Sequence, residues 1–315
     1  MSSINVNNHR TIVTGASGFI GSSMAKKLVE KGYEVFCLIR KDSDTYRLTE
    51  IANKLSIIST DLEDLDNTKS LFKQIRPHAV FNCLGQNGFP TNYKVFEASN
   101  ISSLKIHHNL LEACVEFPVA KFIHCCSSLV YSGNSNSIKE SDPLEPVNYR
   151  GLMKLHESNL CSYYFRNYGV PVNIVRIFRA YGPWEQENRL LLTCIRKLLN
   201  GDLIKLTNEN HKRDYIFIDD LTELMLKAAL DPKQSGIVVN CGSASSYSAK
   251  EICELIAKQL NKSLIIDREE LVKLEDRKSL GANNELAKEL LDWTPKVNIE
   301  TGLSKTVKWY LNYIK

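Results

Sequence analysis

Gly15, Gly18 and Gly21 stand three residues apart, directly behind the run Thr-Ile-Val-Thr at 11–14. The pattern predicts a strand, a tight turn and the start of a helix. Glycine lets backbone approach a ligand closely because it has no Cβ, and a helix N-terminus offers free N–H groups and the positive end of a dipole. Together these features hold the pyrophosphate of a dinucleotide. The candidate contacts are Gly15, Ser17, Gly18, Phe19, Ile20 and Gly21. Residues 22–32 read as a helix closed by Gly32, and 33–39 as a buried parallel strand, which completes a βαβ unit.

The next strand ends carry further chemistry. In such units an acid ending the second strand binds the ribose 2′-hydroxyl, while an arginine nearby accommodates a 2′-phosphate. Ile39 stands at the acid's place and Arg40 and Lys41 follow it. The two cations favour NADP(H), with NAD(H) possible. Asp61 and Leu62 follow the third strand, where a carboxylate meets the adenine amino group. Asn82-Cys83-Leu84-Gly85 ends the fourth, where the backbone at Leu84 passes close to the cofactor.

These residues need a scaffold to position them. Apolar runs recur at 11–14, 35–39, 55–59, 79–82, 122–126, 172–176 and 237–240, with helical stretches between them. That alternation predicts an α/β fold, a doubly wound parallel sheet of about seven strands. The longest helices fall at 101–117 and 151–167. The alternation loosens after Tyr181-Gly182-Pro183. The expected division is a dinucleotide-binding domain of 1–178, which also receives 213–242, and a smaller C-terminal substrate lobe of 179–212 and 243–315. The lobe would cover the carboxyl ends of the strands.

Bulk properties exclude several classes. The 315 residues carry 40 basic and 36 acidic side chains, a net +4 without clustering, so no nucleic-acid surface is expected. The first eight residues lack the apolar centre of a signal peptide, and no run of about 18 apolar residues marks a membrane span. Nine cysteines without C-x-x-C spacing read as reduced core residues of a cytoplasmic protein. No metal site is expected, since none of the seven histidines stands at ligand spacing from a suitable partner, and His107-His108 reads as a solvated or satisfied helical pair.

Further motifs lie along the chain. They are Cys126-Ser127-Ser128-Leu129-Val130-Tyr131, Arg176-Ile177-Phe178-Arg179-Ala180-Tyr181-Gly182-Pro183, Arg213-Asp214-Tyr215 running to Asp219-Asp220, and Leu290-Leu291-Asp292-Trp293-Thr294-Pro295 with Gly302-Leu303 and Trp309-Tyr310. With the G-x-x-G-x-x-G turn they resemble, nearly end to end, the extended short-chain dehydrogenase/reductases, in the branch of NAD-dependent epimerase/dehydratases. The resemblance implies a Rossmann-type sheet, hydride transfer between a nicotinamide and a sugar carbon, usually C4, of a nucleoside-diphosphate sugar, and a homodimer or higher homo-oligomer built on two long helices per subunit. Ser128, Arg179, Arg189 and Arg213 become candidate substrate contacts, with Arg213 on the diphosphate.

The resemblance also implies a catalytic hydroxyl at Ser127, a tyrosine acid/base, and a lysine four residues later that lowers the tyrosine pKa and binds the nicotinamide ribose. Lys154 fits the lysine by its distance from the next strand. Four residues before it stands Arg150, and Tyr149 is five before, about 140° round a regular helix. Two expectations follow. Either the helix begins irregularly and Tyr149 still reaches the site, or Arg150 takes the tyrosine's place, where it cannot act as a base. Arg179 stands where the family has asparagine, an extra cation that favours a further negative group on the substrate.

The family's 4,6-dehydratases carry Asp-Glu after the hydroxyl residue, and its 3,5-epimerase/reductases a cysteine two residues on. Here those places hold Ser128 and Leu129. The remaining chemistry is 4-ketoreduction or 4-dehydrogenation, favoured by the NADP(H) expectation, or 4-epimerisation. A third possibility is a weakly active protein that binds nucleotide sugar as a sensor or scaffold.

Overall fold

The computed structural model describes residues 9–85, 93–132, 135–206, 211–268 and 279–313. Runs of Val, Ile, Phe and Cys with both faces apolar form strands that are buried on both faces, as parallel sheets require. In chain order the first half contains β1 (Arg10–Thr14), α1 (Phe19–Glu30), β2 (Glu34–Ile39), β3 (Ser56–Ser59), α2 (Leu65–Ile75), β4 (Ala79–Asn82), α3 (Tyr93–Glu116), β5 (Lys121–Ser127), β6 (Ser135–Ile138), α4 (Tyr149–Tyr168) and β7 (Val172–Ile177). The second half contains β8 (Arg179–Tyr181), α5 (Leu190–Asn200), β9 (Ile204–Leu206), β10 (Lys212–Phe217), α6 (Ile218–Leu230), β11 (Val238–Cys241), β12 (Ser246–Ser248), α7 (Ala249–Leu260), β13 (Ile266–Arg268), β14 (Ser279–Ala282), α8 (Glu285–Leu291) and α9 (Ile299–Tyr313).

Seven strands make the main sheet in the order β11-β7-β5-β4-β1-β2-β3. Ile12 of β1 pairs in parallel with Phe36 on one side and Val80 on the other. Central β4 and β7 are buried along their whole length, whereas β3 at the edge is largely exposed. From β1 the chain moves outward through β2 to β3, then returns to β4 and moves the other way. That reversal puts the switch point at β1 and β4, and ligands of doubly wound sheets bind at the carboxyl ends of the strands there. The Rossmann-type α/β expectation therefore holds.

The helices differ from expectation mainly at their starts. The helix expected at 101–117 begins at Tyr93. Residues Tyr46–Lys54, not expected to be ordered helix, form 3-10 turns. α4 starts cleanly: the Asn148 side chain accepts from Gly151 N–H at 2.8 Å, Leu152 N–H bonds the Asn148 carbonyl at 3.0 Å, and Gly169 in the left-handed region ends the helix.

The chain divides into two compact units. One comprises Met1–Tyr131, Leu144–Arg176 and Thr222–Val239; the other comprises Ser132–Pro143, Ile177–Leu221 and Asn240–Lys315. In the second unit β10 pairs with β8, β12 and β14, and β14 with β6, while β9 and β13 form a separate pair. Residues 212–217 thus belong with this second unit. Asp214 secures it by accepting from the backbone N–H groups of Ser243, Ala244 and Ala282. No described helix is long and apolar enough to cross a membrane. All nine cysteines are free thiols, eight of them buried.

Candidate active site

The first unit carries the glycine turn. Gly15 has φ +63°, and a Cβ there would lie 2.7 Å from the Cys83 carbonyl oxygen. A Cβ on Gly21 would collide with the Gly15 carbonyl. Both places therefore need glycine, one for its conformation and contact, the other for the approach of helix to turn. Gly18 caps α1 with backbone alone, so no side chain takes the first N–H groups of the helix. The turn, with Ser17, Phe19 and Ile20 half-buried around it, fits a dinucleotide pyrophosphate. Beneath it, Thr14 Oγ1 donates to Asn82 Oδ1 at 2.7 Å, and the buried amide nitrogen of Asn82 has no hydrogen-bond partner.

Arg40 and Lys41 lie exposed just beyond β2. Sequence reasoning missed Arg47, whose guanidinium reaches from the 3-10 turns to the Ser17 carbonyl at 3.4 Å. Nothing in its spacing marks it, because the reach depends on how residues 46–54 coil. Asp61 is exposed and its carboxylate accepts from Glu63 N–H at 2.9 Å, while the Leu62 carbonyl accepts from Asn109 at 2.9 Å.

Ser127, Leu84 and Lys154 come together at the ends of adjacent strands. Lys154 projects from α4, and its ammonium donates to the carbonyls of Leu84 at 2.8 Å and Cys125 at 3.1 Å. Its third partner is Glu157, at 2.7 Å. Ser127 follows Cys125 by two residues; its Oγ accepts from Leu129 N–H at 3.2 Å. Gly151 packs so tightly that a Cβ would strike the Leu129 carbonyl. That contact seats the lysine-bearing face of α4 against the turn after Ser127. Ser128 is buried, and Tyr131, in the same motif, accepts from Arg176 at 2.8 Å as part of the core.

Of the two expectations for α4, the irregular start is not found. Tyr149 is already helical and 42% exposed, because Asn148 caps a regular first turn. Arg150, half-buried, lies one turn before Lys154 on the same face. Tyr149 instead shares the stripe of Met153 and Glu157, four and eight residues on.

His107 and His108 do not form one solvated pair. His108 is exposed, whereas His107 is fully buried near His124 and Glu157. Linear spacing could not signal this grouping, since α3, β5 and α4 each supply one member.

The second unit carries three arginines singled out in the sequence. Arg179 lies opposite Tyr215 in the β8–β10 register, its guanidinium 5.4 Å from the ring centre. Arg189 caps α5 and donates to Gln186 at 3.3 Å. Arg213 is half-buried and donates to the Lys212 carbonyl at 2.9 Å. Glu185, within reach of the charges of Arg179 and Arg189, belongs to no motif in the sequence. It is buried, one of its oxygens has no hydrogen-bond partner, and burial pushes its carboxyl up to about 7 against the pull of Arg179 and Arg189. Burial in turn lowers Arg189, with Arg179 adding to the effect.

The profile of the NAD dependent epimerase/dehydratase family matches residues 11–242. The chain belongs to that family of enzymes. Among relatives of this epimerase/dehydratase, UDP-glucuronate 4-epimerase of Thermodesulfobacterium geofontis is 29% identical over 317 residues, covering 95% of each chain. GDP-mannose 3,5-epimerase 1 of Oryza sativa subsp. indica is 28% identical over 323 residues, covering 97% of this chain and 82% of that one. The crystal structure of UDP-glucuronic acid 4-epimerase from Bacillus cereus, in complex with UDP-glucuronic acid and NAD, has a TM-score of 0.87 and 26% identity over 96% of this chain and 99% of that one.

Proposed function

We propose that this epimerase/dehydratase is a nucleotide-sugar 4-epimerase. The observation that carries this reading is the equipment around Ser127. A hydroxyl stands two residues beyond the carbonyl that anchors a buried ammonium, and it is followed by Ser128 and Leu129, neither of which can act as an acid or base at neutral pH. That suits hydride chemistry at one carbon. The dehydration and 3,5-epimerisation of other family members need a second proton-moving group, so the rice relative's reaction does not transfer.

The turn at Gly15, Gly18 and Gly21, with Lys154 beyond it, would hold a nicotinamide dinucleotide, which would supply reversible hydride acceptance at C4. Ser127 holds the reacting oxygen by hydrogen bonding. Arg150, on the face of Lys154, cannot give up a proton, so this reading requires Tyr149 as the acid/base, its exposed side chain swinging from the stripe of Met153 to reach the sugar oxygen. Lys154 and Arg150 supply fixed positive charge that favours the negative oxygen developing in the transition state. In the second unit Arg213 and Arg189 bind the diphosphate. Arg179 provides a further cation, which favours a sugar that itself carries a carboxylate. UDP-glucuronate is the first substrate to test, as the relative from Thermodesulfobacterium geofontis also suggests.

NAD(H) is the cofactor that the family description and the Bacillus cereus neighbour support. The expectation of NADP(H) finds no support in those comparisons. It rests on Arg40 and Lys41, and Arg47 at the Ser17 carbonyl adds a third cation. Those three residues favour a second reading, net reduction or oxidation at C4 with an exchangeable NADP(H). Cofactor stoichiometry separates the two. Epimer formation from catalytic NAD without net change in nicotinamide absorbance supports the first reading, and consumption of NADPH in step with a 4-keto sugar supports the second.

A further inference from the structure

The ammonium of Lys154 has three protons and no acceptor. All three are taken by the carbonyls of Leu84 and Cys125 and the carboxylate of Glu157. Glu157 is buried, and its other oxygen accepts from the Ser103 hydroxyl at 2.6 Å. Two imidazoles close the cluster, with His107 Nε2 3.5 Å and His124 Nε2 3.8 Å from the oxygen that holds the ammonium.

The rings carry no charge. His107 Nδ1 lies 2.7 Å from the Ser103 carbonyl, which only accepts, so the ring proton sits there. Its Nε2 then faces a carboxylate across 3.5 Å, too far for a proton to be shared. Neither nitrogen of His124 has a hydrogen-bond partner. Burial lowers His107 and, further, His124. The thiols of Cys83 and Cys126 are raised, the first chiefly by its contact with Cys125 and the second by burial, so they too are neutral. The cluster holds one positive group and one negative group. The ligating atoms of His107, His124 and Glu157 lie within 4.8 Å of one another, yet they make no metal site, because the ammonium already bonds the oxygen that both rings face.

We propose that Glu157, seated among Ser103, His107 and His124, is the positioning residue that keeps Lys154 charged and in place, so that the lysine acts as a fixed positive charge and never as a proton carrier. The inference rests on the reading of Lys154 as the lysine beside the nicotinamide. Its physical basis is that a lone buried ammonium sheds its proton readily, whereas a paired one does not. The opposing directions in the pair agree: the charges hold Glu157 down to about 2 despite its burial and raise Lys154 despite its own.

Glu157→Gln keeps the shape and an acceptor and removes only the charge. NADH binding, followed by fluorescence from about pH 6 to about pH 10, reads the consequence. Wild-type affinity stays level across the range. Glu157→Gln loses affinity as pH rises, by about tenfold per unit once Lys154 deprotonates. Glu157→Asp, which retains the charge, restores the level profile, and Lys154→Met binds weakly at every pH. A merely structural glutamate would lower the melting temperature without giving the affinity this basic limb. A Glu157→Gln profile parallel to wild type overturns the inference and leaves the proposed function standing. Wild-type protein that binds neither NADH nor NADPH overturns the reading beneath it. If Glu157→Gln does not fold, the 15N signal of the Lys154 ammonium in the wild type decides, and its loss below about pH 10 overturns the inference.

Discussion

Lys154 donates to the carbonyl of Leu84 at 2.8 Å and so ties α4 to the end of β4, beside the turn that holds Gly15. The contact joins the lysine that the proposed function puts beside the nicotinamide to the strand end expected to pass the cofactor. Lys154→Met should therefore lower kcat by two orders of magnitude or more, roughly the range of a lost positioned catalytic group. Ser127→Ala should cost about as much in kcat while changing stability by only ~1 kcal/mol, since its hydroxyl accepts one backbone hydrogen bond. Steady-state kinetics beside denaturant melts would separate the two effects.

Tyr149 and Arg150 are to be told apart by role. Tyr149→Phe should reduce kcat by about 100-fold or more and leave cofactor affinity close to wild type. Arg150→Ala should weaken substrate or cofactor binding and retain turnover at saturation. The reverse pattern would assign the catalytic place to Arg150 and with it the reading of a weakly active binding protein.

Glu185 makes stability depend on pH in the opposite sense to most carboxylates. Its folded pKa of about 7 lies above the ordinary 4.5. The folded state thus holds its proton more tightly than the unfolded state. The associated stability is fully present below about pH 4.5 and is lost as pH rises through about 7. Glu185→Gln should abolish that loss. Urea unfolding near pH 8 should find the variant more stable than wild type by up to ~3 kcal/mol, with the difference vanishing near pH 4. A diphosphate or carboxylate ligand beside Arg179 and Arg189 should shift the Glu185 titration upward.

Much of this architecture was legible because local patterns carried it. Gly15, Gly18 and Gly21 mark their turn by spacing, and the apolar runs that became β1, β4, β5 and β7 are too short and too uniformly apolar for amphipathic helices. The short strand β6, Ser-Asn-Ser-Ile, has no such pattern and exists only through its pairing with β14. Lys154 was found by its distance from β7, but the saturation of its ammonium was not, because Glu157, His107 and His124 meet only when α3 and α4 pack together beside β5. Arg47 and Glu185 were hidden for the same reason. Each is an ordinary charged residue in sequence, and its role arises from what folding buries beside it. The register of Tyr149 was legible as a conflict, and the regular first turn of α4 leaves it as one for kinetics to resolve.

The fate of deuterium at C4 tests 4-epimerisation most directly. UDP-glucuronate labelled at that carbon should be incubated with the protein and catalytic NAD, and the sugar followed by NMR. A 4-epimerase gives the C4 epimer with its deuterium retained and no net change in nicotinamide absorbance. Label lost to solvent, or reduced cofactor accumulating in step with substrate loss, would contradict that reading.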